Sequence, residues 1–135
     1  YYYFYDTAGS EKWLPVYDQI YLAQSKAIRR LAAGGDCVIV GRCASHVLAE
    51  RKIPNISVFV HAPVEQRVER IMERHNLDEK SAIKYLRKND KARAAYYRKY
   101  AGAEWGRMQN YDMTISSAVG IDKVVNILAD FARMK

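Results

Sequence analysis

Three short runs separated by helix-forming stretches constrain this chain more than any other feature. They are "CVIV" at 37–40, "ISVFV" at 56–60 and "MTISS" at 113–117, each rich in β-branched residues. The first is continuously apolar and the second is broken only by Ser57, which in alternation with helices indicates a parallel sheet covered on both faces. The expected fold is therefore α/β, a three-layer α/β/α parallel sheet that is helix-rich and has about three strands. So narrow a sheet leaves its edges exposed, so further strands are expected to be missing from this chain or supplied by a second chain.

Helical signals fill the remainder. Trp13, Tyr17, Ile20, Tyr21, Ile28 and Leu31 recur at helical spacing and stop at Gly34-Gly35. A second helix is expected near 43–52, then a turn at Pro54-Asn55, then a helix with Pro63 in its first turn. Asn76 with Glu79 three residues on reads as a capping box opening a helix through Leu77, Ala82, Tyr85 and Leu86. A further helical pattern through Ala92, Tyr96 and Tyr100 runs to Gly102, and Ile121, Val124, Val125, Leu128 and Phe131 make an amphipathic closing helix.

At 135 residues, half of them apolar, the chain is long enough for one domain with a core and too short to expect two. Its net charge of +7 favours an anionic partner without choosing between a phosphorylated metabolite, nucleic acid and an acidic surface. Residues 63–107 hold 12 Lys/Arg against 7 Asp/Glu, so most of the surplus sits there. The two cysteines, Cys37 and Cys43, form no disulfide framework or metal-ligand pattern. No stretch approaches a membrane span and the first residues do not resemble a signal peptide, so a cytoplasmic protein is expected.

At the carboxyl end of a parallel strand, backbone N–H groups and helix starts converge and anions collect. Gly41 and Arg42 stand at that place after "CVIV", and Arg42 offers a planar charged fork suited to phosphate. The bland alternative is an arginine pairing with a nearby carboxylate. Arg67, Arg70 and Arg74 share one helix face, interleaved with Glu65, Glu69 and Glu73, which by itself reads as a solvated face laced with salt bridges. Residues 84–100 carry seven Lys/Arg against one Asp, with four tyrosines interleaved, a composition that suits single-stranded nucleic acid or an ordinary packed helix. Asp90 stays ionised in so basic a run and can orient Arg93. Cys43 reads as buried packing, His46, His61 and His75 as structural or exposed, and Trp105 as packing.

Together, "IYLAQSKAIRRLAAGGDCVIVGRCASHVL", "ISVFVHAPVEQRVERI", "KNDKARAAYYRKYAGAEWG" and "NYDMTISS" resemble the cytidylate-kinase-like family of nucleoside monophosphate kinases, which have a P-loop NTPase fold. The resemblance implies ATP-dependent phosphoryl transfer to a nucleoside monophosphate, CMP or dCMP, with ATP and Mg²⁺ as cofactors. Gly41 and Arg42 match the monophosphate site. Arg67 and Arg70 match lid arginines, and Asp90 and Arg93 match the Asp-x-x-Arg that faces the reaction centre; 63–107 is then a lid-like basic region of a single domain spanning 1–135. The implied partner is a small-molecule nucleotide, with no nucleic acid or membrane expected. The alternative reading is a non-catalytic nucleotide- or RNA-binding module using helix 84–100.

One departure is plain. The chain contains no G-x-x-x-x-G-K-[ST] and no glycine-rich turn to cradle ATP phosphates. In the family that loop lies near the N-terminus, on a strand between those matched by 37–40 and 56–60. The chain is thus expected to be the C-terminal two thirds of such a kinase, carrying acceptor and lid parts and inactive alone.

Overall fold

The fold was analysed in a computed structural model, which describes residues 14–134. It divides into two compact units, one up to Asn55 and one from Ile56. Among the described residues the architecture is helix-rich, with one small parallel sheet.

In the first unit, helix α1 spans Val16–Ala33 and helix α2 spans Ala44–Ala49. Gly34 caps α1, where the expected stop lies, and its N–H donates to the Leu31 carbonyl. Tyr21, Ser25 and Ile28 of α1 are buried, as are Cys43, Ala44, Val47 and Leu48. Tyr17, Ile20 and Leu31 are exposed, so the inward stripe of α1 is narrower than the apolar spacing indicates. Trp13 lies outside the described residues.

The run 37–40 is not a strand. It is irregular, with Val38 95% and Val40 86% exposed. A strand exists only where a neighbour satisfies its backbone N–H and C=O groups, and among the described residues none pairs with this segment. Among the described residues, two paired strands are therefore present where about three were expected.

The second unit is built on β1, Val58–His61, and β2, Met113–Ser116, joined by helix α3, Val64–His75, and helix α4, Glu79–Ala101; helix α5, Ile121–Arg133, follows. The strands pair in parallel, with Val58 opposite Met113 and His61 opposite Ser116. Asp112 pins this register: its Oδ2 accepts from both the N–H and the hydroxyl of Ser57, each at 2.8 Å. Behind the strand pair, Phe59 packs edge-on against Trp105 at 5.5 Å between ring centres and against Tyr111 at 5.0 Å. Gly106, with φ +79°, lies against the Phe59 ring, so a side chain there would meet both strain and the aromatic face. Trp105 is therefore packing, as read.

Helices α3 and α4 pack through Val68, Ala82 and Leu86, with Ile71, Met72, Leu77 and Ile83 around them. The turn between them differs from the expected capping box. Asn76 closes α3 in the left-handed conformation, φ 49°, while Asp78 caps α4 by accepting from the Ser81 N–H at 3.4 Å. Both residues suit these posts, since asparagine tolerates left-handed backbone and aspartate is a strong N-cap. From there α4 runs unbroken for 23 residues to a left-handed Gly102, so the two helical patterns of 77–102 are one helix.

Candidate active site

On α3, Val68 must face α4 to be buried, and Arg67 is thereby carried to the margin of the same interface. On α4, Asp90 stands one turn beyond Leu86, so it meets Arg67 at the end of the apolar contact. The two groups close a fork. Arg67 Nη1 donates to Asp90 Oδ2 at 2.8 Å and Nη2 donates to Oδ1 at 2.7 Å, with both side chains 27% exposed. This bidentate geometry is the strong form of the arginine–carboxylate pair.

Arg93 reaches the same carboxylate more loosely, Nη1 to Oδ1 at 3.5 Å, and is 60% exposed. The expected orientation of Arg93 by Asp90 is thus present but weak, and the principal partner of Asp90 is Arg67. Arg70 is exposed and makes no hydrogen bond or ion pair with a described residue. The salt-bridge lacing expected along α3 is also absent among the described residues: neither Arg70 nor Arg74 pairs with Glu65, Glu69 or Glu73. One carboxylate against two arginines leaves a net positive charge, and Arg70 adds to it from α3, the helix that carries Arg67. The cluster can accept an anion without first breaking its tight pair.

In the first unit, Gly41, Arg42 and Cys43 take left-handed φ values of 74°, 57° and 55° in succession. Glycine does so freely, but Arg42 and Cys43 each carry a steric cost of about 1–2 kcal/mol. The turn is closed by the Ala44 N–H donating to the Gly41 carbonyl at 3.1 Å. Arg42 is exposed and pairs with no described carboxylate, so the bland alternative of an ion-paired arginine does not hold among the described residues. Strain of this kind clusters where a residue serves a ligand. Cys43 itself is buried, and that burial pushes its thiol up from 9.0 to about 11, the reverse of an activated nucleophile.

The tyrosines of 84–100 serve mainly in packing, and one cation joins them, with Lys99 Nζ 5.0 Å over the Tyr100 ring. Tyr97 and Tyr100 are buried and Tyr96 is half-buried against Tyr100 at 4.7 Å, so these three rings pack the unit. Tyr85, 40% exposed, stacks on His75 at 4.7 Å. Neither His61 nor His75 belongs to a metal-ligating group; among the described residues no three of His, Cys, Asp and Glu are placed to hold an ion.

The chain is 29% identical over 101 residues to a cytidylate kinase of Methanocaldococcus jannaschii, covering 73% of this chain and 57% of that protein. It is 24% identical over 97 residues to a cytidylate kinase of Methanopyrus kandleri, covering 67% of this chain and 50% of that one. It thus spans little more than half the length of these curated relatives. The crystal structure of an uncharacterized protein from Eubacterium ventriosum shares its fold, with a TM-score of 0.81 at 32% identity over 87% of this chain and 74% of that one. The model of the cytidylate kinase-like family matches residues 4–119, and with that span, which takes in both arginine sites, the chain belongs to the cytidylate kinase-like family.

Proposed function

We propose that the whole protein transfers a phosphoryl group from ATP to a nucleoside monophosphate, CMP or dCMP, and that this chain supplies the acceptor site and the lid. The observation that carries the reading is the Arg67–Asp90–Arg93 cluster, with Arg70 nearby on the same helix as Arg67. Phosphoryl transfer asks the protein mainly for positioning and charge neutralisation. Asp90 is a positioning residue: its fork fixes Arg67. Arg70, exposed and without a described partner, and Arg93, exposed and only loosely held by Asp90, neutralise the transferring group together with Arg67. Gly41 and Arg42 hold the acceptor phosphate, Gly41 by permitting the turn and Arg42 by its guanidinium. Closure of the basic region 63–107 as a lid excludes water from the reacting phosphate.

ATP and Mg²⁺ do not fit the residues at hand. The 135 residues contain no phosphate-loop sequence, and the described ones hold no metal-ligating group. Their cradle in this reading belongs to a P-loop three-layer sheet of which these residues are one part. The test is ADP formation by the full-length protein with CMP, dCMP, UMP and AMP in turn. Turnover with CMP or dCMP that falls about 10²-fold or more in Arg93→Ala, the scale of a lost charge-stabilising donor, is the expected result. Equal turnover in the variant, or none with any monophosphate, would remove the assignment.

A further inference from the structure

Helix α4 carries a second basic feature that the proposed transfer does not use. Lys80, Lys84, Arg87, Lys91 and Arg98 are all exposed, and none pairs with a described carboxylate. At the helical repeat these five fall within about 60° of one another around the axis and extend about 27 Å along it. Asp90, Arg93 and the tyrosines of the helix fall outside that sector. The result is a one-sided ladder of positive charge with no acidic residue among its members.

We infer that this ladder is a docking surface for the phosphate backbone of a nucleic-acid duplex. Its length exceeds what a single nucleotide needs and suits an extended polyanion, whose closely spaced phosphates can meet cations one or two turns apart. Its chemistry is charge alone. No aromatic side chain shares the sector, and Tyr97 and Tyr100 are spent in the core, so successive bases of a single strand would find no stacking platform. No large apolar side chain shares it either, which disfavours the face of a membrane-surface helix. Contact through phosphates alone makes the binding independent of base sequence and steeply salt-dependent. The inference is separable from the kinase reading: the five residues lie within the proposed lid, but none of them is assigned there to the acceptor or the transferring phosphate.

The experiment is fluorescence anisotropy of the full-length protein with a labelled 20-base-pair DNA duplex, over a salt series at low ionic strength. Contacts to three or four phosphates give a log–log salt slope of about −2.7 to −3.6. The triple variant Lys84→Gln, Lys91→Gln, Arg98→Gln should lower affinity at least tenfold and make the slope shallower by about 2 to 3. A control removing three exposed cations elsewhere, Arg30→Gln, Lys52→Gln and Lys123→Gln, should change the slope by less than one. Circular dichroism and melting temperature establish that both variants fold. Equal losses in the two variants would mean that only net charge matters and would overturn the inference. So would tighter binding to the matching single strand, to vesicles of phosphatidylserine and phosphatidylcholine, or to poly-glutamate than to the duplex.

Discussion

Asp90 is bound through both its oxygens by Arg67, a residue 23 positions earlier on the facing helix, and only at 3.5 Å by Arg93 on its own helix. The tight pair bridges α3 and α4 and so ties the two halves of the basic region together. Truncating Asp90 leaves Arg67 partly buried without a partner. Since both groups keep about a quarter of their surface, the cost is discounted for solvent to about 1–2 kcal/mol rather than the 3–5 of a buried pair. Asp90→Ala should therefore lower the unfolding free energy by that amount in urea. Arg67→Lys, which keeps charge but loses the fork, should recover less than half of it. A fully restored stability in Arg67→Lys would mean that the bidentate geometry contributes nothing.

At Arg42 stability and function are expected to separate. Glycine relieves a left-handed backbone that arginine holds at a cost, offset in part by the greater freedom glycine loses on folding. Arg42→Gly should thus be neutral to stabilising, by up to about 1 kcal/mol, while monophosphate affinity of the full-length protein falls tenfold or more. Arg42→Ala should lose the same affinity without the gain in stability. Isothermal titration with CMP and parallel urea melts read both quantities. A CMP affinity unchanged in both variants would exclude Arg42 from the acceptor site.

The buried thiol of Cys43 gives a pH signature with a definite sign. The thiol holds its proton more tightly in the folded state, about 11 against 9.0. Below pH 9 both states are protonated and stability is whole. Between 9 and 11 only the unfolded chain ionises, so stability falls by roughly 2–3 kcal/mol. Cys43→Ala should abolish that part of the alkaline loss. A thiol reagent at pH 8 should label exposed Cys37 first and Cys43 only on unfolding.

The helical hairpin at 64–101 was legible because helix periodicity and termination are local properties. Ala82, Leu86 and Gly102 sit where spacing places them, and Arg67, Asp90 and Arg93 could be singled out from their composition and the family resemblance. Which arginine Asp90 prefers was not legible, because partners 23 residues apart are chosen by tertiary packing. The same limit explains 37–40: β-branched composition marks a segment able to pair, but pairing needs a neighbour. The capping error has a smaller cause. Asn76 and Asp78 are two residues apart and both can end or begin a helix, so the boundary was decided by a left-handed turn that composition alone does not specify.

Ala82, fully buried where α4 meets α3, tests how closely the hairpin is packed. A larger side chain has nowhere to go without moving Val68 or Leu86. Ala82→Leu should cost about 1–3 kcal/mol, against 2–5 for the cavity left by Leu86→Ala. Melts of the two single variants and the double variant show whether Leu at 82 fills the space vacated at 86. Strict additivity would mean that the two side chains do not share a contact region.

The last prediction concerns Val38 and Val40, which the described residues leave almost fully exposed. Two valines in so exposed a position gain nothing from being apolar, and a sheet of two strands is marginal by itself. If this segment becomes a strand of a wider sheet in the full-length protein, its amides acquire partners and its side chains are covered. The double variant Val38→Lys, Val40→Lys should then be nearly silent in the 135-residue chain, within about 0.5 kcal/mol as for exposed sites. In the full-length protein it should cost at least about 3 kcal/mol, the transfer of two valines together with the burial of two charges. Hydrogen exchange gives the matching readout at the backbone: amides of 37–40 unprotected in the 135-residue chain and protected in the full-length protein. Equal exchange and equal cost in both would show that the segment stays unpaired in the full-length protein, and any wider sheet would be built without it.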